Sequence, residues 1–450
     1  MEPVEKPYDG IAQSVLAGFA RWDGVYFTRI ALYGYEYEQF NAFFPGVPMA
    51  IRAVSSTVLA PARGYISQYW IAVLAGLLIA NCCFVAAADY LYRLAILLTK
   101  DEVIAFRSVV MFIVNPASVF MSSVYTESPF ALTTFAGLYY LEGSHFLLSG
   151  LCFALGSGIR GNGIVNAGFL LYAIGTEFYN RRYFRLIGLS PCFLEVNSIS
   201  KTDGTSCTTN TLADSKDENT KLGREGTVNR RKSLTRLTLA CATTLLPFAL
   251  FQYHGYYQQC VLHQTPSPYC TQDTTLLLYS FIQKHYWNNG FLTFWEWKQV
   301  PNIALATPLA ALCCGLVYTY TAHVRGHLQV THANTAEDKT NTTYIQRLTH
   351  YMLRRDDPAR RVSISVCTAT PMDWRASPRL CVYVAHLAFL VAFALGFMYV
   401  HCITRFIAAS TPVVYILVAQ SRDWADVWVA YGLVYSVLGA CLFPNFYPWT

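Results

Sequence analysis

Four short constellations hold the side chains able to do chemistry. In the first, Arg21-Trp22-Asp23-Gly24-Val25-Tyr26-Phe27, a carboxylate sits among aromatics ahead of YGYEYEQFNAFFPGVP at 33–48. Such a carboxylate suits proton removal from an alcohol. It equally suits the start of an interfacial helix, where acidic residues are favoured. The second runs from Asn115-Pro116-Ala117 to Tyr125-Thr126-Glu127-Ser128-Pro129. Glu127 interrupts an apolar stretch, and an ionisable residue at membrane depth marks a functional site by default. Its other reading is a loop acid that starts the next helix, with Pro129 in the first turn. The third, Gly158-Ile159-Arg160-Gly161-Asn162-Gly163, offers a guanidinium, the usual partner of phosphate oxygens. Arg160 is otherwise a loop charge that orients the chain. The glycines form no P-loop, because no GK[ST] follows. The fourth is His401-Cys402-Ile403-Thr404-Arg405-Phe406. Arg405 there suits an anionic lipid headgroup or snorkels to the interface.

The elements that must position these groups are membrane helices. Of 450 residues, 54% are hydrophobic, 15% aromatic and only 13% charged, whereas a soluble domain is about a quarter charged. A bilayer core about 30 Å thick takes about 20 apolar residues as helix, because lipid cannot satisfy a bare backbone. The runs 70–88, 237–253, 303–320, 380–400 and 427–443 qualify clearly; 108–125, 130–155 and 164–175 are more broken, and 47–60 is short. The expected fold is an all-α polytopic membrane protein with about eight or nine spans. The start, MEPVEKPYDG, carries acids and no apolar core, so no cleavable leader is expected.

One membrane domain, 1–450, carries two polar inserts. Residues 181–236 are rich in Ser, Thr, Asp and Lys and flanked by arginines, a composition that disfavours folding. Residues 323–379 carry Arg347, Arg354, Arg355, Arg360 and Arg361. Basic residues near span ends favour the cytosolic side. The net charge of +6 therefore marks these loops, not a nucleic-acid surface. If both inserts are cytosolic, the aromatic loop 254–302 is luminal, as are the Arg405 motif and the C-terminus. Trp287, Phe291, Trp295 and Trp297 also suit an interfacial helix. Cys260 and Cys270 fall in the luminal loop, where a disulfide is possible but not fixed by spacing. The sequon at Asn341 is expected to stay bare in the cytosol. No CxxC or HExxH pattern appears, so no metal site is expected. Together these features suggest an enzyme acting on a lipid at a membrane surface, without specifying a sugar.

The sequence resembles the PIG-V type family, the second mannosyltransferases of GPI-anchor assembly. The resemblance rests on RWD with YGYEYEQFNAFFPG, then SSVYTESPFALTTF, SGIRGNG, LPFALFQY, YSFIQKHYWNNGFL, WKQVPN, TRFIAASTP and NFYPWT, in that order. It implies a GT-C class glycosyltransferase of the endoplasmic reticulum membrane with a luminal active site. It implies dolichyl-phosphate mannose as donor, a mannosyl-glucosaminyl-phosphatidylinositol acceptor and an α1,6-linked product, with no cofactor. A small membrane accessory subunit, as in fungal relatives, is implied as a partner. Asp23 matches the catalytic aspartate of the class. Chemistry then assigns Arg405, and next Arg160, to the donor phosphate, with Glu127 binding sugar hydroxyls or orienting an arginine, and Trp22 beside the substrate. The family usually has a transmembrane helix before RWD and a histidine three residues after the aspartate. Here the chain starts near the motif, so that either the sequence is truncated or 47–60 acts as a first, N-out anchor, and Tyr26 replaces the histidine. Two other readings are a transporter or flippase of a lipid-linked sugar, using Glu127 and Arg160 as an intramembrane pair, and an inactive truncated homologue.

Overall fold

The computed structural model describes residues 6–178, 216–262, 268–271, 277–336 and 380–447. The described elements are all helices, without a strand. Among them, four are long and apolar enough to cross a bilayer: 68–99, 232–262, 297–326 and 422–445. A fifth crossing results if two short helices bent by 87° at Thr411-Pro412 act as one span. The expected eight or nine runs therefore do not map one-to-one onto crossing helices.

The first half is built around α4. A short α1 (Asp9–Leu16) and α2 (Asp23–Tyr33) lead to α3 (Gly46–Ser56) and the 32-residue α4 (Gln68–Thr99). Asp9 pins α1 to the start of α4, accepting the Ser67 N–H at 2.7 Å. Lys100 ends α4 in the left-handed conformation, and Asp101 caps α5 (Glu102–Ile113) by accepting the N–H groups of Val103 and Ile104. The single run expected at 108–125 is broken. Its break follows from Asn115-Pro116, after which come only a five-residue α6 (Ser118–Ser122) and a turn. The run 130–155 is likewise a hairpin of α7 (Glu127–Glu142) and α8 (Phe146–Ile159), turned at Gly143 and Ser144, the latter at φ 61°. A 3-10 turn then leads to α9 (Ala167–Phe178).

The 47–60 anchor is not formed. Helix α3 has 11 residues, about 16 Å at 1.5 Å per residue, and a bilayer core is about 30 Å. Arg52 in its middle donates from Nε to the Ala31 carbonyl at 2.7 Å, a polar tie no lipid-facing span would carry.

The second half starts earlier than expected. Helix α10 (Lys216–Tyr256) takes in the last third of the 181–236 insert, because extending an existing helix costs little once it is nucleated. Short α11 (Pro268–Thr271) and α12 (Leu278–Trp287) follow, then α13 (Val300–Ala336), which runs past the expected insert boundary at 323 for the same reason. Residues 337–379, with the Asn341 sequon, lie outside the described residues. The chain closes with α14 (Cys381–Phe397), α15 (Ile403–Ser410), α16 (Val413–Gln420) and α17 (Arg422–Leu442).

The core lies between α5, α7, α14, α16 and α17, around Phe112, Phe135, Tyr383, Tyr415 and Trp428. Two polar groups in it are paired across helices: Trp428 Nε1 donates to the Met111 carbonyl at 2.8 Å, and Tyr383 Oη to Glu142 at 2.6 Å. Cys260 and Cys270 are joined by a disulfide with Cα atoms 5.6 Å apart, ten residues apart in sequence. Closing a loop of that length stabilises by about 2–3 kcal/mol. Cys260→Ser is therefore expected to lower the melting point of the detergent-solubilised protein. A variant melting like the parent, with the parent showing no free thiol at Cys270, would show that the bridge contributes nothing.

Candidate active site

Asp23 is the first residue of α2, so the helix-start reading and the chemical reading of this acid coincide. An acid is favoured there by the helix dipole. Its backbone N–H donates to Tyr125 Oη at 3.0 Å. The preceding Trp22 adopts φ 54°, ψ −121°, a region that costs a non-glycine residue about 1–3 kcal/mol and persists only where the surroundings impose it.

Arg405 projects from α15 and meets the Asp23 carboxylate at 2.7 Å. Its guanidinium is flanked by the rings of Phe120 (5.3 Å) and Tyr125 (5.8 Å). Arg160 ends α8 in an extended conformation and lies 2.8 Å from Glu127, with the Phe130 ring 5.7 Å away. Glu127 opens α7 and is wholly buried; its carboxylate is 3.7 Å from Arg405 as well. Asn162 donates to Ser410 Oγ at 3.0 Å and joins the Arg160 loop to α15. Residues 382 positions apart are thus gathered into one cluster of two acids and two arginines.

Asp23, Arg160 and Arg405 line a cavity of about 600 Å³. Glu127 is not among the lining residues; it lies 2.8 Å from Arg160 and 3.7 Å from Arg405, close enough to orient both. Trp22 is also outside the lining; its ring packs on Phe446 at 5.7 Å. Polar groups of the cavity wall come from Asn162, Tyr279, Gln283 and Asn289, with Asn289 Nδ2 donating to Gln283 Oε1 at 2.6 Å. Apolar lining comes from Phe389, Phe393 and Phe397 of α14. A cavity lined by both cationic and hydrocarbon-like side chains suits an amphiphile bearing an anionic head.

The aromatic segment 254–302 reaches this cavity through Tyr279 and Trp287, while Trp297 is 93% exposed, as an interfacial ring would be. Tyr286 Oη donates to Glu38 at 2.8 Å and ties α12 to the loop after α2. Burial, and then that hydrogen bond to Glu38, push the Tyr286 phenol up to about 12. Tyr26 lies against Phe40 and stacks on Phe43 at 4.5 Å. Sequence reasoning missed Tyr125, Tyr279, Gln283 and Asn289. All lie inside the recognised blocks, Tyr279, Gln283 and Asn289 in the aromatic loop 254–302, but a neutral polar residue gives no signal of its own.

The family model described as Mannosyltransferase (PIG-V) matches residues 6–199 and 227–450. The GPI alpha-1,6-mannosyltransferase 2 of Cricetulus griseus is 32% identical over 429 residues, covering 90% of this chain and 74% of that protein. That of Homo sapiens is 30% identical, covering 90% and 73%. The GPI mannosyltransferase 2 of Drosophila melanogaster is 24% identical over 480 residues, covering 98% and 89%. No solved structure matches. The matched regions contain all four charged residues of the cluster, and the chain belongs to the PIG-V mannosyltransferase family.

Proposed function

We propose that the chain transfers mannose from dolichyl-phosphate mannose to the 6-hydroxyl of a mannosyl-glucosaminyl-phosphatidylinositol. The product is the α1,6-linked second mannose of a GPI precursor. The observation that carries this reading is the Asp23–Arg405 contact in the lining of an amphiphilic cavity, in a chain of this family.

The chemistry follows from the four charges. Asp23 takes the proton from the acceptor hydroxyl as its oxygen bonds to the sugar carbon. The bond from that carbon to the phosphate oxygen breaks on the opposite face, with inversion, and its electron pair leaves on dolichyl phosphate. Negative charge thus moves from the carboxylate to the phosphate. Arg405 and Arg160 both line the cavity and are the cations available to that growing charge, which fixed cations stabilise without reorganising. Two guanidiniums suffice for a single phosphate, so the reading calls for no metal. Arg405 holds Asp23 at 2.7 Å; a donor phosphate would compete for that guanidinium and free the carboxylate for the hydroxyl.

The reading places the protein in the endoplasmic reticulum membrane with the cavity facing the lumen, and the basic flanks of the two inserts in the cytosol support that orientation. A small membrane subunit as partner accords with the same reading. The test is expression in cells lacking the second GPI mannosyltransferase, together with transfer from labelled donor to a one-mannose acceptor in their membranes. Restored surface GPI-anchored protein and a product cleaved by an α1,6-specific mannosidase are expected. Stable, membrane-inserted protein that forms no such product, with or without the partner, overturns the proposal.

A further inference from the structure

The C-terminal turn touches the supports of both members of the Asp23–Arg405 pair. Past α17, Phe443–Asn445 form one 3-10 turn, and Phe446 follows in the left-handed region at φ 58°. Phe443 is buried, with its ring edge-on to Phe120 at 5.5 Å and Tyr125 at 5.7 Å. Those two rings flank the Arg405 guanidinium, and Tyr125 Oη also accepts the Asp23 N–H. Phe446 serves the other side. The Arg21 guanidinium lies over its ring at 4.8 Å, and Trp22 packs against it at 5.7 Å. Arg21 Nε is buried without a hydrogen-bond partner, and the Phe446 ring face is one contact of that cation. Pro444 closes on Gly18, where a Cβ would sit 3.4 Å from the proline.

We infer that this terminal turn is a positioning element for the reaction. Phe446 holds Trp22 in its unfavourable backbone conformation and so aims Asp23 into the cavity; Phe443 holds the rings that keep Arg405 opposite it. Neither ring lines the cavity, so neither touches substrate. A ring serving only to anchor the end of α17 in the interface has no reason to face Arg21 and Trp22, the two residues directly before the base. The inference rests on the reading of Asp23 as base and deepens it.

The experiment compares Phe446→Ala and Phe446→Tyr in the full chain, in membranes, with rates normalised to inserted protein. Phe446→Ala is expected to lower kcat roughly ten- to hundredfold, the scale of a misplaced reacting group, with KM for donor and acceptor unchanged. Phe446→Tyr keeps the ring and is expected to keep the rate. Glycine adopts positive φ freely, so in a Trp22→Gly background there is no ring left to hold, and adding Phe446→Ala is expected to change nothing further. An unchanged kcat in Phe446→Ala overturns the inference. So does a loss confined to KM, an equal loss in Phe446→Tyr, or losses that multiply in the double variant. If Phe446→Ala accumulates poorly, Phe446→Leu carries the same comparison, since it keeps bulk but offers no aromatic face. Asp23→Asn separates the two levels: full activity there removes the base reading itself, whereas an inactive Asp23→Asn beside a fully active Phe446→Ala removes only the positioning role.

Discussion

Asp23→Asn is expected to lower mannose transfer by roughly 10²–10⁴-fold, the span supplied by a positioned general base. The substitution preserves shape: an amide oxygen can still accept from Arg405, as the carboxylate does at 2.7 Å. What it removes is the site for the acceptor's proton. Asp23 is half-buried, and Glu127 at 3.7 Å still balances Arg405 when the Asp23 charge is removed, so abundance and melting are expected to fall much less than in a Glu127 variant. Donor affinity is expected to hold or rise, because Arg405 no longer divides its charge between a carboxylate and the phosphate. The check is a transfer assay in membranes with kcat and donor KM measured separately. A fall in kcat with an unchanged or lower donor KM matches a base. A rise in KM alone would make Asp23 a binding group, and loss of the protein from the membrane would make it structural.

The groups of this site were legible in the sequence because each stands out against apolar surroundings. Asp23, Glu127, Arg160 and Arg405 are ionisable residues bordering hydrocarbon-like runs, and such residues are rarely tolerated without a task. Their convergence was not legible, since Asp23 and Arg405 meet across 382 positions. The helix pattern was read less well, for a physical reason. A hydropathy run reports apolar length and cannot tell one crossing from a hairpin buried against other helices. Thus 130–155 reads as continuous although Gly143 and Ser144 turn it back, and 108–125 hides the stop at Asn115-Pro116. The bent pair α15–α16 was missed as an element for the converse reason. Each half is only eight residues long, too short to register, although Pro412 marks the bend and α15 carries Arg405. The NFYPWT block was recognised as a sequence feature with no assigned purpose. Only the fold sets its Phe446, and Phe443 just before the block, against the supports of the ion pair.

Glu127→Gln is expected to destabilise the protein by about 3–5 kcal/mol, the scale for removing one partner of a buried ion pair. The carboxylate is wholly buried and lies 2.8 Å from Arg160 and 3.7 Å from Arg405. Asp23 can still balance Arg405, but Arg160 is left as an unpaired cation with only 16% of its side chain exposed. The arginines should then shift toward water, and transfer should fall along with stability. A second substitution separates the two effects. Glu127→Gln with Arg160→Gln removes both charges of the closer pair, so most of the lost stability is expected to return, while transfer stays low because one phosphate-facing cation is gone. Melting of detergent-solubilised single and double variants gives the coupling between the two residues, and the transfer assay runs on the same preparations. If Glu127→Gln melts like the parent and only raises acceptor KM, the carboxylate meets sugar rather than guanidinium. That outcome would require a bound-state rearrangement bringing Glu127 into the cavity lining. If the double variant is as unstable as the single one, Arg160 is held by Phe130 and its loop rather than by Glu127.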